Sequence, residues 1–319
     1  MRAGRGARGL GSDLKRNTLI GVAAVVVLLV VVDVVLVAMA LARTTPEAVG
    51  SPRPVPTFGR SSDATPTPTP SASATPAPDA SAQGASEGPA RRLLSAVDGR
   101  EAWRASSASC SVAQVVLEHT VDGGTTWTPV ALGDDVRALW GMRATTDGLS
   151  LLEAVGDDCE ATERTSVDDG VTWKAAAAGA SGAGITPDGV RLGTTTVANP
   201  CPEPLDAFQG TRTAIVVCDG QIEWRTGTAA WVDVPLGGVR GVAVDGSSYT
   251  LARVGASACE GVQVETMTAI GVTPSTRTTP VGCNDVSTTG TIALDRAGQS
   301  VWMWAGESVA VSADGGKTW

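Results

Sequence analysis

The apolar positions of this chain fall into two regimes. Residues 19–42 form one apolar run in which Asp33 is the only charge. From Arg91 to Trp319 the apolar residues come instead in short stretches of strand length, rich in Val, Leu and Ala and separated by Gly-containing turns. Asp-Gly follows such a stretch at Asp98-Gly99, Asp147-Gly148, Asp188-Gly189 and Asp245-Gly246, and a relaxed version runs from Asp295 to Gly298. Asp-Gly between strands predicts a tight hairpin, because both residues tolerate the positive φ that the turn needs. One unit reads completely as VRALWGMRAT, the turn DG, LSLLEAV, the turn GDDC, EATERTS, a further turn, and WKAAAA. It predicts four strands, A to D, joined by turns.

The first regime predicts a membrane span over residues 18–42. A helix of that run reaches roughly 36 Å at about 1.5 Å per residue, enough to cross a hydrocarbon core of about 30 Å. Arg2, Arg5, Arg8, Lys15 and Arg16 precede it against a lone Asp13, while only Arg43 follows closely. Residues 1–17 are therefore expected in the cytoplasm and the C-terminal domain outside, on a single-pass signal-anchor. A cleaved signal peptide competes, since Ala38-Met39-Ala40 resembles a cleavage site. The run nevertheless exceeds the usual apolar region of about 7–15 residues. Asp33 within the span costs about 2.5–3.5 kcal/mol; it either pairs with a polar group on a partner helix or is carried protonated. Residues 43–90 hold ten of the 18 prolines, with dense Ser, Thr and Ala. They predict a disordered, extended tether.

Within residues 91–319 a second motif recurs. TVDGGTTW (residues 120–127), SVDDGVTW (166–173) and SADGGKTW (312–319) share one pattern, and RTGTAAW, ending at Trp231, is a degraded copy. The pattern S/T-x-D-x-G-x-T-W resembles the Asp-box, or BNR repeat, of sialidase-like β-propellers. Asp122, Asp168 and Asp314 are expected to accept backbone hydrogen bonds of their own turns, with Gly124, Gly170 and Gly316 supplying positive φ. Trp127, Trp173 and Trp319 are expected to cover the hairpins. These residues are thus structural.

Residues 91–319 divided into five such units give about 46 residues each, the size of a four-stranded blade. The expectation is an all-β, five-bladed β-propeller, with a β-sandwich as the alternative. The last blade is expected to hold three strands and an open edge.

Six cysteines, all beyond residue 90, predict three disulfides in an oxidising compartment. In up-down blades the A–B and C–D turns share one face, while B–C turns and D–A connections share the other. The Asp-boxes take the first face and the cysteines the second. Cys110–Cys159, Cys201–Cys218 and Cys259–Cys283 are the expected pairs.

Charge and composition narrow the function. The chain has 24 Lys+Arg against 33 Asp+Glu, a net charge of −9 and a pI near 4.7. Nucleic acid is not an expected partner, because binding it needs a basic face. His119 is the single histidine; it excludes a multi-His metal centre and is expected to pack. The cysteine-bearing face gathers Asp157, Asp158, Glu160, Glu203, Asp206, Asp219, Glu260 and Asp285. It is the expected ligand face, and its acids suit a cationic or hydroxyl-rich ligand, or Ca²⁺ held by carboxylates and carbonyls. No other cofactor is expected.

Sialidases, by the same resemblance, need a tyrosine nucleophile and three arginines. The sole Tyr249 falls on a predicted strand B, and Arg137, Arg143 and Arg240 come from just two blades. The predicted innermost strands carry no acid before the Asp-Gly turn, although Glu203 and Asp285 on loops are candidates for a pair. Trp140 is placed to stack on a sugar or to pack. The expected function is a membrane-anchored extracytoplasmic binding or scaffold protein for a cell-envelope glycan, peptide or protein. A cell-envelope glycoside hydrolase is the alternative.

Overall fold

The computed structural model describes residues 91–319. The expected cytoplasmic tail, the membrane helix with Asp33, and the tether lie outside the described residues. Among the described residues, no helix is long and apolar enough to cross a membrane.

Twenty-two strands form six antiparallel sheets, each built from consecutive strands. Blade 1 comprises β1 (Arg91–Ala96), β2 (Ala102–Ser107), β3 (Val115–Thr120) and β4 (Thr128–Val130). Blade 2 comprises β5 (Val136–Thr145), β6 (Gly148–Val155), β7 (Glu160–Ser166) and β8 (Lys174–Ala175). Blade 3 has only three short strands, β9 (Ala183–Thr186), β10 (Gly189–Leu192) and β11 (Thr195–Val197).

Blade 4 comprises β12 (Pro204–Gln209), β13 (Thr213–Cys218), β14 (Gln221–Thr226) and β15 (Val232–Val234). Blade 5 comprises β16 (Val239–Asp245), β17 (Ser248–Arg253), β18 (Val262–Thr268) and β19 (Thr279–Asn284). Blade 6 comprises β20 (Ala293–Ala297), β21 (Ser300–Ala305) and β22 (Ser308–Ser312). The innermost strands β1, β5, β9, β12, β16 and β20 neighbour one another in a closed ring. This is a six-bladed β-propeller.

The expectation of five blades is therefore wrong, and one segment accounts for it. NPCPEPLDAFQGTRTAIVVC reads as the longest irregular stretch of a third unit, but it contains β12 and β13, the two inner strands of a separate blade. Proline opens β12 and Asp206 interrupts its apolar pattern, so neither propensity nor alternation marks it as a strand. Blade 3 compensates by being small, and the degraded box RTGTAAW belongs to blade 4, between β14 and β15. The last blade does have three strands, with β22 at its outer edge among the described residues.

Apolar burial lies in the seams between blades. Leu117 and Leu149 share a cluster across blades 1 and 2, Ile215 and Leu251 across blades 4 and 5, and Val262 and Met303 across blades 5 and 6. Leu94 and Trp302 fill the seam where blade 6 meets blade 1, and Val190 and Val216 the seam between blades 3 and 4. The seam between blades 2 and 3 is closed by close backbone approach and by Leu152 of β6, whose side chain lies against Gly184. A Cβ on Gly141 would sit 2.8 Å from the Ala183 carbonyl oxygen, and one on Gly184 would sit 2.9 Å from that of Trp140. Glu163 of β7 adds a polar tie, accepting from the amides of Gly179 and Ser181 and facing Arg191 of β10 at 3.5 Å.

All three Asp-boxes share one hydrogen-bond pattern. Thr120 donates its hydroxyl to Asp122 at 2.8 Å and accepts the Gly124 amide at 3.1 Å. Asp122 accepts the Thr126 amide at 2.9 Å and the Thr126 hydroxyl at 2.6 Å. Ser166, Asp168, Gly170 and Thr172 repeat the pattern, as do Ser312, Asp314, Gly316 and Thr318. These bonds hold Asp122 and Asp168 down to a pKa of about 2, the Thr126 and Thr172 hydroxyls contributing most, and push Asp314 lower still. The glycines add an interblade function. A Cβ on Gly124 would press on Trp302 at 3.3 Å, one on Gly316 on Val264 at 2.9 Å, and one on Gly170 would collide with Val130. Each box therefore seats its blade against the preceding one.

Candidate functional site

The six inner strands enclose an axial cavity of about 250 Å³, lined by Arg91, Trp140, Arg143, Asp206, Phe208 and Asp295 among others. Its chemistry follows from a backbone problem. Inner strands of neighbouring blades form no ladder with one another, so amides facing the next blade need side-chain partners. Asp206 of β12 accepts the amide of Val242 on β16 at 2.9 Å and that of its neighbour Ala207 at 2.8 Å. Asp295 of β20 accepts the amide of Ala96 on β1 at 2.7 Å. Ser95 and Ser107 of blade 1 perform the same service for Ala144 and Leu139 of β5.

Burial in the ring raises Asp206 and Asp295 to a pKa of about 6, against the opposing pull of their amide donors. Arg91 draws Asp206 back down while Asp295 pushes it up, and Ser95 and Arg143 lower Asp295. Both residues are only partly buried and line the cavity, so the protein mass around them rather than complete enclosure drives the shift. Burial also lowers Arg91, partly offset by Asp206. The cavity thus combines two carboxyls that titrate just below neutrality with four lining arginines, Arg91, Arg92, Arg143 and Arg296, and an indole.

This arrangement corrects the placement of two acids. Asp206 lies on an innermost strand instead of a rim loop, and Asp295 lies within β20 instead of in a hairpin turn, which falls at Gly298-Gln299. The inner strands therefore do carry acids. The signal in the sequence was the lone carboxylate inside each short apolar stretch, PLDAFQ and ALDRA, where burial demands a partner.

The disulfides are Cys110–Cys159, Cys201–Cys218 and Cys259–Cys283, as expected from the blade topology. Cys110, Cys159 and Cys259 lie in B–C turns; Cys218 ends a strand B; Cys201 precedes an inner strand, and Cys283 lies near the end of β19. All six thus share the face opposite the Asp-boxes. Asp157, Asp158, Glu203, Asp219, Glu260 and Asp285 are exposed in its turns and connections, and Glu160 is exposed at the start of β7. Two of them are engaged, Asp157 with Arg137 at 2.8 Å and Asp219 with Arg240 at 3.3 Å. Glu203 and Asp219 line a shallow pocket beside Cys201–Cys218, and Asp158 and Glu160 line a cleft between blades 2 and 3 that also touches Trp140.

Tyr249 is 0% exposed on β17, donates its hydroxyl to Thr213 at 2.9 Å and is raised in pKa by burial. Of the three arginines named from the sequence, only Arg143 lines the cavity. His119 stacks on Trp103 with ring centroids 3.9 Å apart.

No protein-family model matches the chain, and the comparison with curated proteins found no match. Among solved structures the chain is similar to the GH74 enzyme of Niastella koreensis, at 15% identity over 70% of this chain and 45% of that one, with a TM-score of 0.38. It is similar to YCF48 bound to D1 peptide at 17% identity, over 70% and 64% of the two chains, with a TM-score of 0.28. A Hadza microbial sialidase follows at 12% identity, over 66% and 49%, with a TM-score of 0.33. The chain spans less than two thirds of the length of each of these three proteins. The neighbours include both binding proteins and glycoside hydrolases.

Proposed function

We propose that this chain is a non-catalytic binding or scaffold propeller, anchored by residues 18–42 and held outside the membrane on the 43–90 tether. It engages a cell-envelope peptide, protein or glycan at the disulfide-bearing face and the mouth of the axial cavity. The observation that carries this reading is the occupation of Asp206 and Asp295 by backbone amides of neighbouring strands. A carboxylate that holds two blades together is a poor proton shuttle, since moving its proton disturbs the ring. The buried, hydrogen-bonded Tyr249 is likewise a poor nucleophile.

Glycoside hydrolysis is the second reading, favoured by one observation: two cavity carboxyls whose pKa of about 6 suits a general acid. One experiment separates the two. The full-length chain in detergent is assayed on a glycoside panel and, in parallel, used in a pull-down beside a form lacking residues 1–42. A specific partner retained by both forms, with no turnover, supports binding by the propeller. Turnover that Asp206→Asn or Asp295→Asn abolishes, with the β circular dichroism spectrum unchanged, overturns it.

A further inference from the structure

We propose that Glu101, His119 and Asp169 form a site for a divalent transition-metal ion, of which zinc is the type, bridging blades 1 and 2 on the Asp-box face. The site is remote from the disulfide-bearing face. One potential ligand atom from each of the three residues lies within 4.8 Å of the others, the one such group of His, Cys, Asp or Glu among the described residues.

Three features go beyond simple clustering. First, the imidazole is held in place: its side chain is 11% exposed and stacks on the buried Trp103 with an interplanar angle of 14°. Second, its Nε2 faces Glu101 Oε1 at 3.3 Å. That is long for a charge-assisted hydrogen bond, usually about 2.7–2.9 Å. It matches the separation of about 3.4 Å between two ligands of a tetrahedral ion bound at about 2.0–2.1 Å.

Third, Asp169 occupies the fourth position of its Asp-box, where the other two boxes have Gly123 and Gly315. All three positions adopt positive φ, +77° and +80° for the glycines and +56° for Asp169. Aspartate is one of the few residues besides glycine that visits this region, and glycine still adopts it at lower cost. The box that carries it belongs to blade 2 and faces the chain's single histidine, on blade 1. The box motif does not require this aspartate, and the metal site gives it a role.

The donor set selects the ion. One imidazole and two carboxylates suit zinc and its first-row neighbours better than calcium, which takes oxygen alone. All cysteines are in disulfides, so no thiolate competes. Asp169 is exposed, which leaves a fourth coordination position open to water.

The test is direct binding of zinc alone to the full-length chain in detergent, by competition with a chromophoric chelator. In parallel, Co²⁺ is titrated while the ring protons of the single histidine are followed by NMR. The expected result is one equivalent of zinc bound, with Co²⁺ shifting or broadening the His119 resonances. Asp169→Gly restores the residue of the other two boxes at a position already at positive φ, so it should fold at least as well and bind zinc at least tenfold more weakly. His119→Gln should abolish the site. Affinity unchanged in Asp169→Gly, or binding that leaves the His119 resonances untouched, would overturn the proposal. So would the absence of any binding below millimolar zinc, which reduces the contact to a His–Glu hydrogen bond.

Discussion

The indole nitrogen of Trp302 donates to the carbonyl oxygen of Asp98 at 2.8 Å, tying the middle strand of blade 6 to the first hairpin of blade 1. The two residues stand at opposite ends of the domain sequence, and this bond closes the ring together with the one from Ala96 to Asp295. Trp302 is also fully buried and meets Trp127 edge to face at 6.4 Å. Trp302→Phe keeps most of the apolar area and leaves the carbonyl of the exposed Asp98 to water, so it should cost about 0.5–1.5 kcal/mol. Trp302→Ala should cost about 3–5 kcal/mol. Equilibrium denaturation of the two variants separates the hydrogen bond from the packing.

The Asp-box glycines give a second expectation. Gly170 sits at φ +83° with Val130 of the preceding blade where a Cβ would go. Gly170→Ala should therefore destabilise by more than about 1 kcal/mol through strain alone, with the overlap adding to it. Gly220, also at positive φ but with open space around it, is the control: Gly220→Ala should suffer the strain only. Thermal melts of the pair read the difference.

Stability should depend on pH in two opposite senses. Asp206 and Asp295 titrate near 6 when folded and near the ordinary aspartate value of 3.8 when unfolded. Between these values the folded chain binds more protons, so stability is greatest below about pH 4 and is lost as pH rises through 6. The loss is at most about 3 kcal/mol for each, less the share screened by solvent at these partly exposed residues. Asp122 and Asp168 act the other way, stabilising above about pH 4 and losing that contribution as pH falls through about 2. The melting temperature should thus be higher at pH 5 than at pH 7.5, and Asp295→Asn should flatten that slope.

Cys110–Cys159 joins blades 1 and 2 across a sequence separation of 49. Closing a loop of that length is worth about 4 kcal/mol on the chain-entropy estimate. The double substitution Cys110→Ala with Cys159→Ala should lower stability by roughly that amount. The same change at Cys201 and Cys218, separated by 17, should cost about 3 kcal/mol. Denaturant midpoints of the two double variants test the order.

Features of this fold that depend on local chemistry were readable in the sequence. The Asp-box bonds, the A–D strands of blade 2 and the three disulfides all follow from short-range patterns or from the alternation of turns between two faces. What escaped depends on contacts between blades. Asp206 looks like a loop residue because its partner, the Val242 amide, lies 36 positions away. Without that partner β12 does not read as a buried strand, blade 4 disappears, and six blades become five. Asp169 shows the same limit, since only the folded ring places it beside His119.

Blade 3 is the slightest member of the ring, with strands of four, four and three residues. Its border with blade 2 rests on abutting glycines, the single side chain of Leu152 and one carboxylate, with a cleft alongside. A wheel made of otherwise well-filled joints therefore has one expansion gap. Strain imposed on the hub, whether by heat or by a guest molecule wider than the bore, will be relieved there first. Amide exchange in β9–β11 should run ahead of every other spoke.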